Sequence, residues 1–160
     1  GRRTVMVHVR RDDSLLPGNE WIGQLSTQYY ERVMREWDIE TTSFLVFSDS
    51  PDWCEGQPVF RQARIVHEAD PVVTMRLMSL CDDFIIAGST LSWWGAWLGR
   101  ATDKRVIAPL PFFRRTSRDT WALVLGLKDS RAIRFEDLDR TGVRDSPSPL
   151  ARGFKPSCRA

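Results

Sequence analysis

The chain of 160 residues lacks several features that would identify a common class of protein at once. No apolar run approaches the length of a membrane span, and no signal-like segment opens the chain. Its three cysteines show no Cys-x-x-Cys spacing, which argues against a zinc site and leaves a disulfide undecided. The formal net charge is only +2, so charge alone does not favour a nucleic-acid partner. A P-loop and a Ser-His-Asp order are also absent.

The remaining composition is that of a soluble globular domain. Hydrophobic residues make up 42% and charged residues 28%, and the length suits one domain with a real core. Because a core-like strand begins almost directly after Gly1, we interpret the chain as a fragment whose N-terminal part is missing. We predict one domain over residues 1–143. The tail 144–160 is rich in Ser, Pro and Arg and is predicted to be disordered.

Short apolar runs alternate with segments of helical length, which predicts an α/β fold with a Rossmann-like parallel sheet. The runs are β-branched or aromatic and nearly continuous, as in parallel strands covered on both faces. The predicted strands are Thr4–Val9, Ser43–Phe47, Ala63–Val66, Phe84–Ala87 and Val106–Ala108. The predicted helices are Leu25–Trp37, Val72–Cys81, Leu91–Leu98 and Asp119–Leu127, and the tryptophans at 93, 94 and 97 are expected to pack in the core. Loops are predicted at Pro17-Gly18-Asn19 and Ser50-Pro51-Asp52.

Polar clusters follow three of these strands. The segment His8–Asp13 follows the first strand, Ser48 and Asp49 follow the second, and Gly88–Thr90 follows the fourth. Since open α/β sheets bind ligands outside the carboxyl ends of their strands, we expect the clusters to converge on one edge. The last cluster precedes a helix, whose free N–H groups and dipole attract anions. Together with the two arginines, this predicts a site for a diphosphate within a nucleotide-linked small molecule.

Each cluster also has an ordinary structural interpretation. Arg10 and Arg11 could end a strand in solvent, and adjacent side chains point in opposite directions. His8 could be a hydrogen-bonded structural histidine as readily as a catalytic one. Ser89 fits a helix N-cap, and Asp49 fits a side-chain-stabilised turn.

Three motifs in order resemble the α-1,2-fucosyltransferases of glycosyltransferase family 11. The residues from His8 to Asp13 match the pattern His-x-Arg-Arg-x-Asp, and residues 47–54 are similar to the family's segment after the next strand. The stretch from Leu77 to Leu98, with Ser-Thr-Leu-Ser-Trp-Trp-Gly-Ala-Trp towards its end, resembles the family's long C-terminal motif. The resemblance covers about Val5 to Phe113.

This resemblance implies the C-terminal, Rossmann-like half of a GT-B-type glycosyltransferase that binds GDP-fucose. The implied reaction is inverting transfer of L-fucose to the galactose 2-hydroxyl of a galactoside-terminated glycan, with no obligatory metal or other cofactor. Carried onto this sequence, Arg10 and Arg11 are the catalytic groups, which neutralise the leaving diphosphate. The implied donor-binding residues are His8, Asp13, Ser48, Asp49, Gly88, Ser89, Thr90 and Ser92.

Two positions depart from the family pattern and keep other functions open. Asp12 stands where a glycine is usual, and Thr74 stands where an aspartate is usual. Both favour the alternative of an inactive homologue that only binds a GDP-sugar. A second alternative is another GDP-sugar transferase, such as a relative of the protein O-fucosyltransferases, and a third is an α/β domain without a ligand.

The expected cellular compartment of the protein is inferred from the family resemblance alone. Eukaryotic members of the family are Golgi enzymes with an N-terminal membrane anchor, whereas bacterial members are cytoplasmic. We expect a Golgi-lumenal protein whose anchor lies upstream of Gly1, with a cytoplasmic bacterial protein as the alternative. The expected partners are GDP-fucose and a glycan acceptor, with no nucleic acid and no membrane contact except through that anchor.

Overall fold

The protein is a single parallel sheet with helices on both faces, seen in a computed structural model that describes residues 1–12, 15–19, 22–110, 112 and 130–134. The six strands lie in the order β3-β2-β1-β4-β5-β6, and every neighbouring pair is parallel. The strands are β1 Arg3–Val9, β2 Thr42–Ser48, β3 Arg64–Val66, β4 Asp83–Ile85, β5 Val106–Leu110 and β6 Ser130–Arg134. The helices are α1 Thr27–Met34, α2 Pro51–Glu55, α3 Pro71–Met78 and α4 Thr90–Leu98, with a short 3-10 helix at Pro58–Phe60.

This arrangement confirms the predicted Rossmann-like α/β fold. All five predicted strands are present, with boundaries that differ by one or two residues. Strand β6 has no counterpart among the predictions because Ser-Arg-Ala-Ile-Arg contains no apolar run. The predicted helix Asp119–Leu127 and the predicted disordered tail 144–160 lie outside the described residues.

Alternation along the strands builds two hydrophobic cores, one on each face of the sheet. Val5, Val7 and Val9 of β1 point to the face covered by α1 and α2, while Met6 points to the face covered by α3 and α4. Five consecutive residues of β1 are buried, as expected for a central parallel strand. The continuous apolar runs in the sequence thus correspond to strands that are covered on both faces.

The helices begin at polar caps, and two of them end earlier than predicted. The Ser26 side chain accepts from an N–H in the first turn of α1, and Asp70 accepts from two N–H groups in the first turn of α3. After α1 and α3 the chain continues in tighter i to i−3 turns, for example from Trp37 N to Met34 O, and the regular helix stops there. The Ser50-Pro51-Asp52 loop prediction is wrong, because Pro51 begins α2 from a position where its missing N–H costs nothing.

The tryptophans of α4 divide between the core and the surface. Trp93 packs against the core beneath α4, and its ring stacks on Trp97 with centroids 5.3 Å apart. Trp94 and Trp97 are nevertheless 47% and 45% exposed, so the prediction that they pack in the core is wrong. Only one side of α4, represented by the buried Ala96, contacts the sheet.

A buried carboxylate ties together the amino end of the sheet. Asp83, at the start of β4, is 2% exposed, and its oxygens accept from Arg3 Nε at 2.7 Å and Nη2 at 3.0 Å. Trp37 Nε1 donates to it at 2.8 Å, and the backbone N–H of Arg105 donates at 2.7 Å. Burial by itself raises the pKa of Asp83, but the donated hydrogen bonds outweigh it and hold the pKa below its usual range.

The strand order creates a switch point in connectivity, and the opposite, carboxyl edge of the sheet there is the candidate site. The chain runs outward from β1 to β3, returns through α3, and then runs outward from β4 to β6 on the other side. Strands β1 and β4 are therefore neighbours, with Val7 beside Ile85, and the chain continues from them towards opposite edges of the sheet. Open α/β sheets bind ligands outside the carboxyl ends of the strands at such a switch point.

Candidate donor-binding site

The arginine after β1 lies at the switch point between β1 and β4. Arg10 directly follows the end of β1, and its Nη1 donates to the carbonyl of Gly88 at 3.2 Å. Gly88 belongs to the turn between β4 and α4. The structure thus brings the predicted first arginine and the predicted glycine turn together, although they are 78 positions apart in sequence.

The turn that follows β4 leads directly into α4. Ser89 is the N-cap residue, with φ −146° and ψ 129°, and Thr90 is the first residue of the helix and is exposed. The Ser89 side chain makes no capping hydrogen bond. The start of α4, with N–H groups that favour an anion, therefore lies at the same edge of the sheet as Arg10.

Ser92 shapes this turn from inside the protein. Its side chain is fully buried, and its hydroxyl lies 3.1 Å from the Ser89 carbonyl and 3.4 Å from the Ala87 carbonyl. These contacts hold the turn against the first residues of α4. Direct contact between Ser92 and a donor stays a prediction.

The second arginine turns the other way, towards β2 and α2. The Arg11 guanidinium carbon lies 4.2 Å from the centre of the Trp53 ring, within cation–π range. Arg10 and Arg11 therefore diverge, as expected for neighbouring residues after a strand. Trp53 belongs to the segment similar to the family's, yet the sequence analysis gave it no role. Trp53 is the third residue of α2, a helix that the sequence analysis had predicted to begin as a loop, so its contact with Arg11 was not foreseen.

The carboxylate of Asp49 accepts from two consecutive backbone amides of the β1 loop. The N–H of Arg11 lies 2.9 Å from Oδ1 and 3.2 Å from Oδ2, and the N–H of Asp12 lies 3.1 Å from Oδ2. In return, the hydroxyl of Ser50 donates to the carboxylate of Asp12. Ser48 contributes its hydroxyl oxygen as acceptor for the Ser50 N–H at 2.9 Å. These residues join the ends of β1 and β2.

His8 is the second-last residue of β1. It is 5% exposed and, by alternation along β1, shares the face of Met6. Its carbonyl accepts from the hydroxyl of Tyr30 at 3.1 Å, which ties α1 to the end of β1. Burial raises the pKa of Tyr30 well above its usual range, so this hydroxyl keeps its proton and remains a donor.

The sequence analysis also singled out Asp13, Thr74 and the cysteines. Asp13 lies outside the described residues. Thr74 is buried in α3, with its hydroxyl 3.4 Å from the Glu68 carbonyl. Cys54, beside Trp53, is a buried free thiol whose pKa is raised by burial. Cys81 is likewise a buried free thiol.

Neither a metal cluster nor a membrane-spanning helix occurs among the described residues. Within those ranges, no group of three or more His, Cys, Asp or Glu side chains could hold a metal ion. No helix in the same part of the chain is long and apolar enough to cross a bilayer.

A cavity of about 710 Å³ lies elsewhere, between α1 and the 3-10 helix. Its lining includes Met34, Trp37, Phe44 and Val59, and it contains none of the predicted donor-site residues. The candidate site at the carboxyl edge of the sheet is thus separate from this cavity.

Comparison with known proteins gives a family match and two curated relatives. The family described as Glycosyl transferase family 11 matches residues 1–113. The O-antigen biosynthesis glycosyltransferase WbnK of Escherichia coli is 34% identical over 131 residues, which make up 74% of this chain and 43% of that protein. An alpha-1,2-colitosyltransferase of Escherichia coli is 34% identical over 122 residues, covering 70% of this chain and 42% of that protein.

The chain thus spans less than half the length of these curated relatives. Both relatives are bacterial, so they lend no support to the expected Golgi location and are compatible with the cytoplasmic alternative. No solved structure gives a significant match. The match over residues 1–113 contains both the loop after β1 that carries Arg10 and Arg11, here called the arginine loop, and the start of α4, and the chain belongs to glycosyl transferase family 11.

Proposed function

We propose that this chain is the donor-binding half of a GT-B-type glycosyltransferase that takes a GDP-sugar and forms an α-1,2 linkage to a galactoside. L-fucose is the leading donor sugar, and the galactose 2-hydroxyl is the leading acceptor. Reaction with inversion and without an obligatory metal belongs to the same proposal. The observation that carries it is the position of Arg10 at the switch point, beside Gly88 and the start of α4.

The chemistry of the site supports a diphosphate leaving group. Breaking the bond between a sugar and a phosphate builds negative charge on the phosphate oxygens. A guanidinium and a helix N-terminus that already face the crevice stabilise that charge without reorganising. Since Arg10 approaches the start of α4 while Arg11 is engaged by Trp53, we expect Arg10 to contribute more to diphosphate binding.

Colitose is a second candidate donor sugar. One relative is named as an alpha-1,2-colitosyltransferase, and it is 34% identical to this chain over 122 residues. That name supports an α-1,2 linkage as well as a donor sugar other than fucose. Because both relatives come from a bacterium, a cytoplasmic enzyme is the better proposal for the compartment.

Calorimetry on the full-length protein tests the donor. GDP should bind more tightly than UDP or ADP. Arg10→Ala should weaken GDP binding by about 1.5–3 kcal/mol, the value of a charge-assisted contact, and Arg11→Ala should weaken it less. Arg35→Ala is the matched control, since Arg35 is an exposed arginine paired with Glu31 on α1. Equal and negligible losses at Arg10 and Arg11 would contradict the diphosphate assignment.

Transfer assays then test the reaction. Labelled GDP-fucose and GDP-colitose are offered with lactose, and the anomeric configuration of the product is read by NMR. We expect transfer with inversion that persists in EDTA. GDP binding without transfer of either sugar would instead favour an inactive GDP-sugar-binding homologue, the alternative that Asp12 and Thr74 raised.

A further inference from the structure

Two residues contact the arginine loop from the side of β2 and α2: Asp49, one of the implied donor-binding residues, and Trp53. We propose that Asp49 and Trp53 are positioning residues, with Asp49 holding the backbone of the loop and Trp53 holding the guanidinium of Arg11. We call this pair, together with the contact between Asp12 and Ser50, the β1–β2 clasp. The assignment rests on the proposed function, since it concerns how that site is organised.

The register of the sheet explains why the clasp forms at this point. Val9, the last residue of β1, lies beside Ser48, the last residue of β2. Asp49 therefore emerges from the sheet next to the first residues of the loop. Its carboxylate accepts from the N–H groups of Arg11 and Asp12, which no longer have strand partners. Hydrogen bonds of this kind, from amides to a charged acceptor, are stronger than those between neutral groups.

The contacts of the clasp are reciprocal. The carboxylate of Asp49 binds the β1 loop, and the carboxylate of Asp12 in that loop accepts from the hydroxyl of Ser50, the residue after Asp49. We expect a loop held from both sides to change its φ and ψ values little when a ligand binds. The conformational entropy lost on binding is then smaller, which is the usual benefit of a preorganised site.

Trp53 supplies a rigid surface beneath Arg11. The neighbouring Cys54 is fully buried, and Trp53 itself packs against the core beneath α1 and α2. The indole ring therefore has little freedom, and the guanidinium carbon of Arg11 lies 4.2 Å from its centre. A long arginine side chain held in this way loses less rotamer entropy when it meets an anion.

Replacing Asp49 distinguishes the positioning role from two other roles, electrostatic repulsion of the ligand and direct contact with the nucleoside. A carboxylate beside a diphosphate site opposes anion binding, so electrostatics alone predicts tighter binding when Asp49 is replaced. If Asp49 instead contacts the nucleoside, its loss should weaken GDP binding and leave inorganic diphosphate unaffected. If Asp49 positions the arginine loop, its loss should weaken both ligands by the same factor.

The test measures GDP and inorganic diphosphate binding to the full-length protein by calorimetry. In Asp49→Ala both affinities should fall about tenfold, which corresponds to 1.4 kcal/mol. Asp49→Asn keeps one acceptor oxygen while removing the charge, so it should recover most of the affinity. Asp52→Asn, which removes an exposed carboxylate in the same segment, should stay within about twofold of wild type.

Trp53 is tested in parallel. Trp53→Leu should weaken both ligands about threefold, and Trp53→Phe should restore binding because it keeps an aromatic face. Trp94→Phe, at an exposed tryptophan on α4, is the control. Hydrogen exchange gives a readout that needs no ligand. The amides of Arg11 and Asp12 should be protected in wild type and should exchange at least about tenfold faster in Asp49→Ala.

The outcomes are distinct. A loss of GDP affinity alone, a gain for both ligands, or unprotected amides at positions 11 and 12 in wild type would each overturn the clasp while leaving the proposed function standing. Wild-type protein that binds neither GDP nor diphosphate would overturn the proposed function, and the positioning assignment with it. Equal losses for both ligands, with an unchanged melting temperature and rescue by Asp49→Asn, support the clasp.

Discussion

Replacing Asp83 with alanine should be among the most destabilising single changes in the described part of the chain. The carboxylate is 2% exposed and accepts from Arg3, from the Trp37 indole and from the Arg105 backbone. In Asp83→Ala the indole and the backbone N–H each lose a buried acceptor, at about 1–3 kcal/mol apiece. The Arg3 side chain is 37% exposed and can be hydrated in the variant, so the loss of its ion pair contributes less to the destabilisation. We expect a loss of about 2–6 kcal/mol, the combined cost of leaving these two buried donors without an acceptor.

The stabilisation by Asp83 should decrease as the pH falls. The pKa of Asp83 is lowered in the folded protein, so the unfolded chain binds its proton more readily than the folded one. The stabilisation is complete above the unfolded pKa of about 4 and is lost as the pH falls through the lower folded value. The difference between wild type and Asp83→Ala should therefore be largest near neutral pH and should shrink below about pH 4.

Urea unfolding followed by circular dichroism measures both effects. Asp103→Ala is the control, because Asp103 also pairs with Arg3 but is exposed, and it should change the free energy of unfolding little. The reasoning is refuted if Asp83→Ala unfolds within about 1 kcal/mol of wild type at pH 7. It is also refuted if the difference does not shrink in acid.

Two further predictions follow from close contacts and from charge. In Gly95→Ala the new Cβ would lie 2.8 Å from the Met78 Cβ, which no rotamer change can relieve, so α3 and α4 must separate. We expect a loss of about 1–2 kcal/mol in urea unfolding despite the better helix propensity of alanine, whereas Gly56→Ala, with ordinary contacts, should be neutral. Asp12→Asn keeps an acceptor for Ser50 but removes a charge near the proposed diphosphate. Calorimetry should show tighter GDP binding, more so at low salt than at high salt, and unchanged affinity at every salt concentration would contradict that charge placement.

The sequence was sufficient to predict the fold, because its main signals are local. Continuous apolar runs such as Thr4–Val9 report burial on both faces, and the intervening segments have helical length. The predictions went wrong where local signals are ambiguous. A Ser-Pro-Asp sequence can form a turn or begin a helix, and here Pro51 begins α2. The short, polar strand β6 is recognisable only through its pairing with β5.

For the candidate site, too, the sequence predicted some features and the tertiary structure determined the others. The sequence alone indicated that an arginine loop and a glycine turn lie at the carboxyl edge of one sheet, because strand direction and connectivity determine which ends meet. It did not reveal that Arg10 reaches Gly88 while Arg11 lies over Trp53, or that the Asp49 carboxylate binds the loop backbone. Those contacts depend on the register of β1 with β2 and on where α2 packs, and only the tertiary structure determines these distances between residues far apart in sequence.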